Sequence, residues 1–161
     1  KLLQAGYLWG VSGACLLLRR TAIESITYRN TDGTAEYFDE TFFMYKEDVD
    51  LCARLNRKGW RSWYTPSAVG WHTRTGFAAA NLAETPQHRQ VLPRYVKEYS
   101  YRNHWFFLLK NAPLLLLPFI FVYEALKFVY LVIFETKTLR VLPQILRSLP
   151  LMLRRRYANS R

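Results

Sequence analysis

From Leu114 to Phe134 the chain runs twenty-one positions with Glu124 and Lys127 as its sole charged residues. Such a run is long enough for a bilayer, since a helical span needs about 20 predominantly apolar residues. Pro118 interrupts it, and Glu124 and Lys127 stand near its middle, where ionised groups cost roughly 2.5–3.5 kcal/mol each on insertion scales. Pairing between Glu124 and Lys127 at i, i+3 softens that cost. The pattern therefore predicts a helix embedded in a membrane interface rather than a clean crossing.

The sequence beyond this run agrees. Leu139, Leu142, Leu146, Leu149 and Leu153 make a stripe at three- and four-residue steps, with Arg140, Arg147 and Arg154 on a different face. That is an amphipathic helix with cationic edges, which Pro143 and Pro150 are expected to break into short pieces. The Arg154-Arg155-Arg156 run suits anionic headgroups, each basic residue contributing about 1 kcal/mol near such a surface. Upstream, Tyr99 to Asn111 is aromatic and basic, so Arg102 and Lys110 either meet lipid phosphates or face water on an interfacial helix. A formal charge of +11 with a high aromatic share implies an anionic partner, and aromatic-plus-basic composition also suits single-stranded nucleic acid. Here the aromatics cluster with leucine runs, so a membrane surface is expected and no nucleic acid.

The first half is built differently. Val49, Cys52 and Leu55 recur at helical spacing from Glu47, with a stop at Gly59. Glu47 and Asp48 then fall in the first turn, where free N–H groups and the helix dipole favour negative charge. Asp50 and Arg54 stand at i, i+4, an ion pair worth ~0.2–0.5 kcal/mol on a helix flank. A charged helix start explains this cluster by itself, but Phe38, Phe42, Phe43 and Tyr45 precede it, and aromatic walls beside carboxylates make a pocket.

Around the helix, Gly10, Ser12 and Gly13 punctuate a loop that leads into an expected buried strand, Ala14 to Leu18. Thr27 to Thr34 carries an Asp-Gly turn signal. Trp60 to Tyr64 reads as a strand, and a second short one is expected through Ala68 and Val69, completing a mixed sheet. Trp60 and Trp63 read as core or rim packing. After Gly76 an alanine-rich stretch with two prolines reads as a lid or linker. Cys15 and Cys52 lie in apolar patterns without ligand companions and are expected to be buried free thiols.

Several ordered blocks resemble the family 2 glycosyltransferases, inverting enzymes of the GT-A fold, and in particular their rhamnosyltransferase-like branch. They are Gly10 to Cys15, Tyr37 to Glu40, Phe42 to Tyr45, Glu47 to Leu51, Gly59-Trp60, Tyr64 to Pro66 and Trp71-His72. The resemblance implies an α/β fold: residues 1–80 as the acceptor-side part of a GT-A catalytic domain, followed by a helical membrane-associated region over 81–161. It implies Asp48 as the general base that deprotonates the acceptor hydroxyl, with Glu47 orienting the site, and Asp50 as structural. Gly13 and Ala14 are placed beside acceptor and donor sugar, and Trp71 is a further substrate-binding candidate. His72 is implied as a ligand of Mn2+ or Mg2+ on the donor diphosphate, although a lone histidine is more often a packed residue.

The family's upstream Asp-x-Asp metal motif and its nucleotide-binding βαβ units have no counterpart before Gly10, so a C-terminal fragment is expected. The implied reaction moves a sugar such as rhamnose from a nucleotide-sugar donor to a lipid-linked glycan acceptor, at the cytoplasmic face of a bacterial inner membrane. The alternative from another class is a non-catalytic membrane-surface binding module whose carboxylates cap a helix.

Overall fold

The computed structural model describes residues 4–30, 32–71 and 92–158. His72 and the alanine-rich stretch after Gly76 lie outside them. The chain divides into two compact units, residues 1–73 with 157–161 and residues 74–156.

In the first unit two short antiparallel pairs replace the expected mixed sheet. Strand β1 (Gly6–Leu8) pairs with β4 (Ser62–Tyr64), Tyr7 opposite Trp63, and their rings meet edge to face at 4.8 Å. Strands β2 (Tyr28–Arg29) and β3 (Ala35–Glu36) form the hairpin that the Asp-Gly signal predicts. The Asp32 carboxylate accepts the Thr34 N–H at 2.9 Å and its hydroxyl at 2.7 Å, while Gly33 supplies the positive φ. These bonds, the hydroxyl's first, hold the exposed Asp32 carboxyl below its ordinary range.

Helix α1 (Arg20–Glu24) and helix α2 (Glu47–Arg57) enclose the core, where Ala22, Ile26, Leu51 and Leu55 are buried and Leu16, Leu18 and Trp60 pack against them. Gly59, at φ 82°, ends α2 as its sequence predicts, its N–H bonding the Asn56 carbonyl at 3.0 Å. Trp60 sits at the core edge with its indole N–H on Ser25 Oγ at 3.0 Å, whereas Trp63 is exposed.

Ala14 to Leu18 is not a strand. Leu16 and Leu18 reach the core while Leu17 is 99% exposed, so the alternation survives, but among the described residues no strand pairs with this segment. Ala68–Val69 is not a strand either: the Ala68 N–H turns back to the Thr65 carbonyl at 3.1 Å, and Val69 is exposed. Cys52 is buried as expected, but Cys15 is exposed on this irregular stretch.

The second unit is helical: α3 (Arg94–Asn111), α4 (Leu117–Phe134) and α5 (Leu142–Ala158), with 3₁₀ turns at Leu114–Leu116 and Thr136–Val141. Pro118 does not interrupt the apolar run. It stands in the first turn of α4, where its missing N–H has no partner to lose. Pro143 likewise begins α5, and the helix continues through Pro150 in one piece. Tyr101, Phe106, Leu131, Ile145 and Met152 are buried here. Lys110 is fully buried rather than facing water, and Arg102 stacks over the rings of Tyr99 and Phe106 at 4.6 and 5.2 Å. Arg156 donates to the carbonyls of Leu109 and Ala112, at 3.0 and 2.6 Å, at the end of α3.

Candidate functional site

Asp48, Cys52 and Asn56 stand at i, i+4 and i+8 on α2, hence on one face, and the loop from Trp9 to Gly13 is laid along it. The Asp48 Oδ2 accepts the Gly13 N–H at 2.9 Å. The Cys52 sulfur accepts the Val11 N–H at 3.5 Å and its S–H faces the Val11 carbonyl at 3.7 Å. The Asn56 amide donates to the Trp9 carbonyl at 2.5 Å and to the Cys52 carbonyl at 2.8 Å. A loop that would need a neighbouring strand for its backbone groups thus finds them on a helix.

The fit is closest at Gly10. A Cβ there would lie 3.0 Å from Cys52 Cβ and 3.1 Å from its sulfur, so any larger residue would make the loop or Cys52 give way by a few tenths of an ångström. At Gly13 the same atom would meet Asp48 Cβ at 3.4 Å, an ordinary contact. Burial pushes the Cys52 thiol above its usual pKa, against the partial relief given by the Val11 backbone.

The opposite face of α2 holds what the sequence presented as a solvated flank. Asp50 and Arg54 pair at 2.9 Å with both side chains 0% exposed. The guanidinium also donates to the carbonyls of Ile26 and Tyr37, each at 2.8 Å, and lies 4.9 Å from the centre of the Tyr28 ring. One arginine therefore joins α2 to the end of α1, to the hairpin and to the segment that precedes α2.

That preceding segment is strained. Phe43, Tyr45 and Lys46 have φ of 61°, 66° and 68°, a region that costs L-residues of order 1–3 kcal/mol each. Around it, Glu36 accepts the Glu40 N–H at 2.8 Å, and Asp39 accepts the Thr41 N–H at 3.1 Å and its hydroxyl, both carboxylates being buried. Lys46, left-handed and without a side-chain cap, then delivers the chain into α2, with Glu47, Asp48 and Asp50 in its first turn. Phe43 and Tyr45 are exposed beside the helix start.

Of the residues predicted from sequence, Asp48 and Gly13 are in direct contact and Ala14 follows in the same loop, its N–H on Ser12 Oγ at 3.3 Å. Asp48 is half-buried, its other oxygen accepting the Val49 N–H at 2.8 Å. Each oxygen thus keeps one lone-pair direction for a further donor. Glu47 is half-buried, with Oε2 shielded from solvent and without a hydrogen-bond partner. Trp71 is 97% exposed. Among the described residues no three His, Cys, Asp or Glu side chains converge to hold a metal ion, so these residues do not by themselves build the expected Mn2+ or Mg2+ site.

The sequence pattern does not single out Cys52, Asn56 or Arg54 for the site. The four-residue spacing from Asp48 was the signal for the first two.

The chain is similar to two curated proteins, each called N-acetylglucosaminyl-diphospho-decaprenol L-rhamnosyltransferase, from Mycobacterium tuberculosis strains CDC 1551 and H37Rv. Each is 48% identical over 62 residues, which is 38% of this chain. Over that stretch it is similar to a glycosyltransferase. The match spans 17% of the relatives' own length. No family model and no solved structure matches.

Proposed function

We propose that this chain is the acceptor-side part of a family 2, GT-A glycosyltransferase that moves a sugar, rhamnose in the first instance, from a nucleotide-diphosphate donor to a lipid-linked glycan with inversion. The observation that carries the reading is the 2.9 Å bond from Gly13 N–H to Asp48 at the head of α2, which joins two of the sequence blocks behind the resemblance. The names of the two relatives support the donor and acceptor classes.

In this reading Asp48 is the general base. Its carboxylate, aimed by two backbone N–H groups, accepts the proton of the acceptor hydroxyl as that oxygen attacks the anomeric carbon and the nucleotide diphosphate departs from the opposite face. Glu47 adjoins it and orients the acceptor. Gly13 and Ala14 bring backbone close to the sugars, and Trp71 offers an exposed ring for stacking. A divalent ion would stabilise the departing diphosphate as a Lewis acid, with His72 as this chain's contribution to holding it. The enzyme would work at the cytoplasmic face of a bacterial inner membrane, against an anionic surface.

A second reading makes Asp48 only the anchor of the Trp9–Gly13 loop, in a module without catalysis. It is favoured by the same two N–H bonds. Asp48→Asn, made in a full-length enzyme that includes the nucleotide-binding half, separates the two. Asparagine keeps an oxygen for Gly13 but cannot take the proton, so kcat is expected to fall by roughly 10²–10⁴ with folding unchanged. Wild-type turnover by Asp48→Asn would remove Asp48 as base. Mn2+ dependence unchanged in His72→Ala would remove His72 as ligand.

A further inference from the structure

The four residues before α2 turn the chain in a way that aromatic residues rarely accept. Phe43, at φ 61° and ψ −57°, is the centre of a tight turn closed by the Met44 N–H on the Phe42 carbonyl at 2.7 Å. That is a γ-turn of the strained hand, with its central φ positive. Tyr45 and Lys46 follow at φ 66° and 68°. Glycine would take these positive φ values without a Cβ penalty, whereas a bulky residue there is an outlier. Strain of this kind persists only where the surroundings fix it. Here they do. Upstream, Arg54 holds the Tyr37 carbonyl, Glu36 the Glu40 N–H and Asp39 the Thr41 N–H; downstream, the Lys46 carbonyl accepts the Asp50 N–H at 2.9 Å. Across this pinned link neighbouring rings part: Phe42 is fully buried, whereas Phe43 is 71% exposed and Tyr45 39%. Two large rings thus stand in solvent just before the carboxylates of α2, at a backbone cost that glycine would avoid.

We propose that Phe43 and Tyr45 form a stacking subsite for the pyranose ring of a saccharide acceptor, whose hydroxyls donate to Glu47 and Asp48. The proposal rests on the transferase reading of Asp48 and adds to it the residues that recognise the acceptor. A pyranose presents C–H groups on its ring faces and hydroxyls at its rim. An aromatic face takes the first by dispersion and through its quadrupole, and carboxylates take the second as strong acceptors. Both are present here. Each Asp48 oxygen keeps a lone-pair direction for a further donor, and Glu47 Oε2 has no hydrogen-bond partner, so its removal from water is not offset until a donor arrives. Glu40, Glu47 and Asp48 flank the two rings in sequence, a setting that disfavours anionic headgroups and favours a hydroxylated ligand. Rings carried on a pinned backbone lose little freedom on binding, so the strain held in the free protein lowers the ordering cost of the complex. Phe42, which precedes the same carboxylates, is excluded by its burial.

The test uses the whole chain and a soluble probe, the methyl glycoside of N-acetylglucosamine, followed by saturation-transfer NMR. Irradiation of aromatic protons is expected to saturate the C–H protons of one pyranose face more than those of the other. Phe43→Ala and Tyr45→Ala should each weaken probe binding roughly three- to tenfold, the scale of one aromatic contact. Phe43→Trp should retain binding, and Trp63→Ala, which removes an exposed ring on β4, should leave it unchanged. Absence of transfer, binding unchanged by both alanine variants, or an equal loss in Trp63→Ala would overturn the subsite. Amide exchange reads the strain separately. Phe43→Gly and Phe43→Ala lose the same ring, but glycine alone escapes the positive-φ penalty, so α2 amides should exchange roughly three- to thirtyfold more slowly in the glycine variant. Equal or faster exchange there would overturn the strain argument. None of these readouts needs turnover. Wild-type turnover by Asp48→Asn in the full-length enzyme removes the base and leaves the stacking, whereas unchanged probe binding in the alanine variants removes the stacking and leaves the base.

Discussion

Replacing Arg54 by methionine tests whether the first unit is held by its core or by its buried charge. The change keeps an unbranched side chain of similar reach but removes every donor. Asp50 would remain at 0% exposure without the guanidinium, and the carbonyls of Ile26 and Tyr37 would lose donors now at 2.8 Å. Breaking a buried ion pair from one side typically costs about 3–5 kcal/mol, mostly because the surviving charge stays buried and uncompensated. The two abandoned carbonyls push towards the upper end of that range. An exposed i, i+4 pair, which is what the spacing alone suggests, would cost only ~0.2–0.5 kcal/mol. Amide hydrogen exchange along α2 distinguishes the two, because it reads local opening without requiring both units to unfold together. Exchange of the most protected α2 amides is expected to accelerate roughly a hundred- to several-thousand-fold. The double variant Asp50→Leu, Arg54→Met should recover much of the loss, since no charge is left behind. An acceleration of less than about fivefold in the single variant would refute the reasoning, as it would mean that Asp50 reaches water or another cation without Arg54.

The two thiols should react very differently: a disulfide reagent at neutral pH is expected to modify exposed Cys15 quickly and buried Cys52 only after unfolding, with the site of labelling read by mass spectrometry. Gly10→Ala should push the loop away from α2 and make Cys52 reactive in the folded protein, whereas Gly13→Ala should leave it protected, because its new Cβ has ordinary contact distances. The Asp32 carboxyl should titrate below its unfolded value near 3.9 by NMR, so its support of the hairpin is complete above that pH and fades as pH falls through the lowered folded value; Thr34→Val should return the midpoint towards normal.

The secondary structure of the helical parts was largely legible because it rests on local periodicity. Val49, Cys52 and Leu55 marked α2, Gly59 marked its end, and the leucine stripe marked α5. Proline is ambiguous where a helix start is not fixed by the local pattern: Pro118 and Pro143 read as breaks but stand in first turns. The strands were less legible. Leu16 and Leu18 kept the alternation of an extended chain, yet an extended segment becomes a strand only when another backbone lies beside it, and periodicity contains no such partner.

The sequence by itself determined the carboxylates at the head of α2, the glycines at 10 and 13, the Asp50–Arg54 and Glu124–Lys127 spacings, and the basic, apolar character of the second half. Tertiary structure decided what each of these means. Long-range approach placed the Trp9–Gly13 loop on the Asp48–Cys52–Asn56 face, turned a flank ion pair into a buried junction among carbonyls from residues 26 and 37, and supplied His104 to Glu124. The physical reason is solvation. Spacing along the chain fixes which groups can meet, but the strength of a charge pair and the freedom of a carboxylate depend on how much water the rest of the fold excludes, and that is set by segments far apart in sequence.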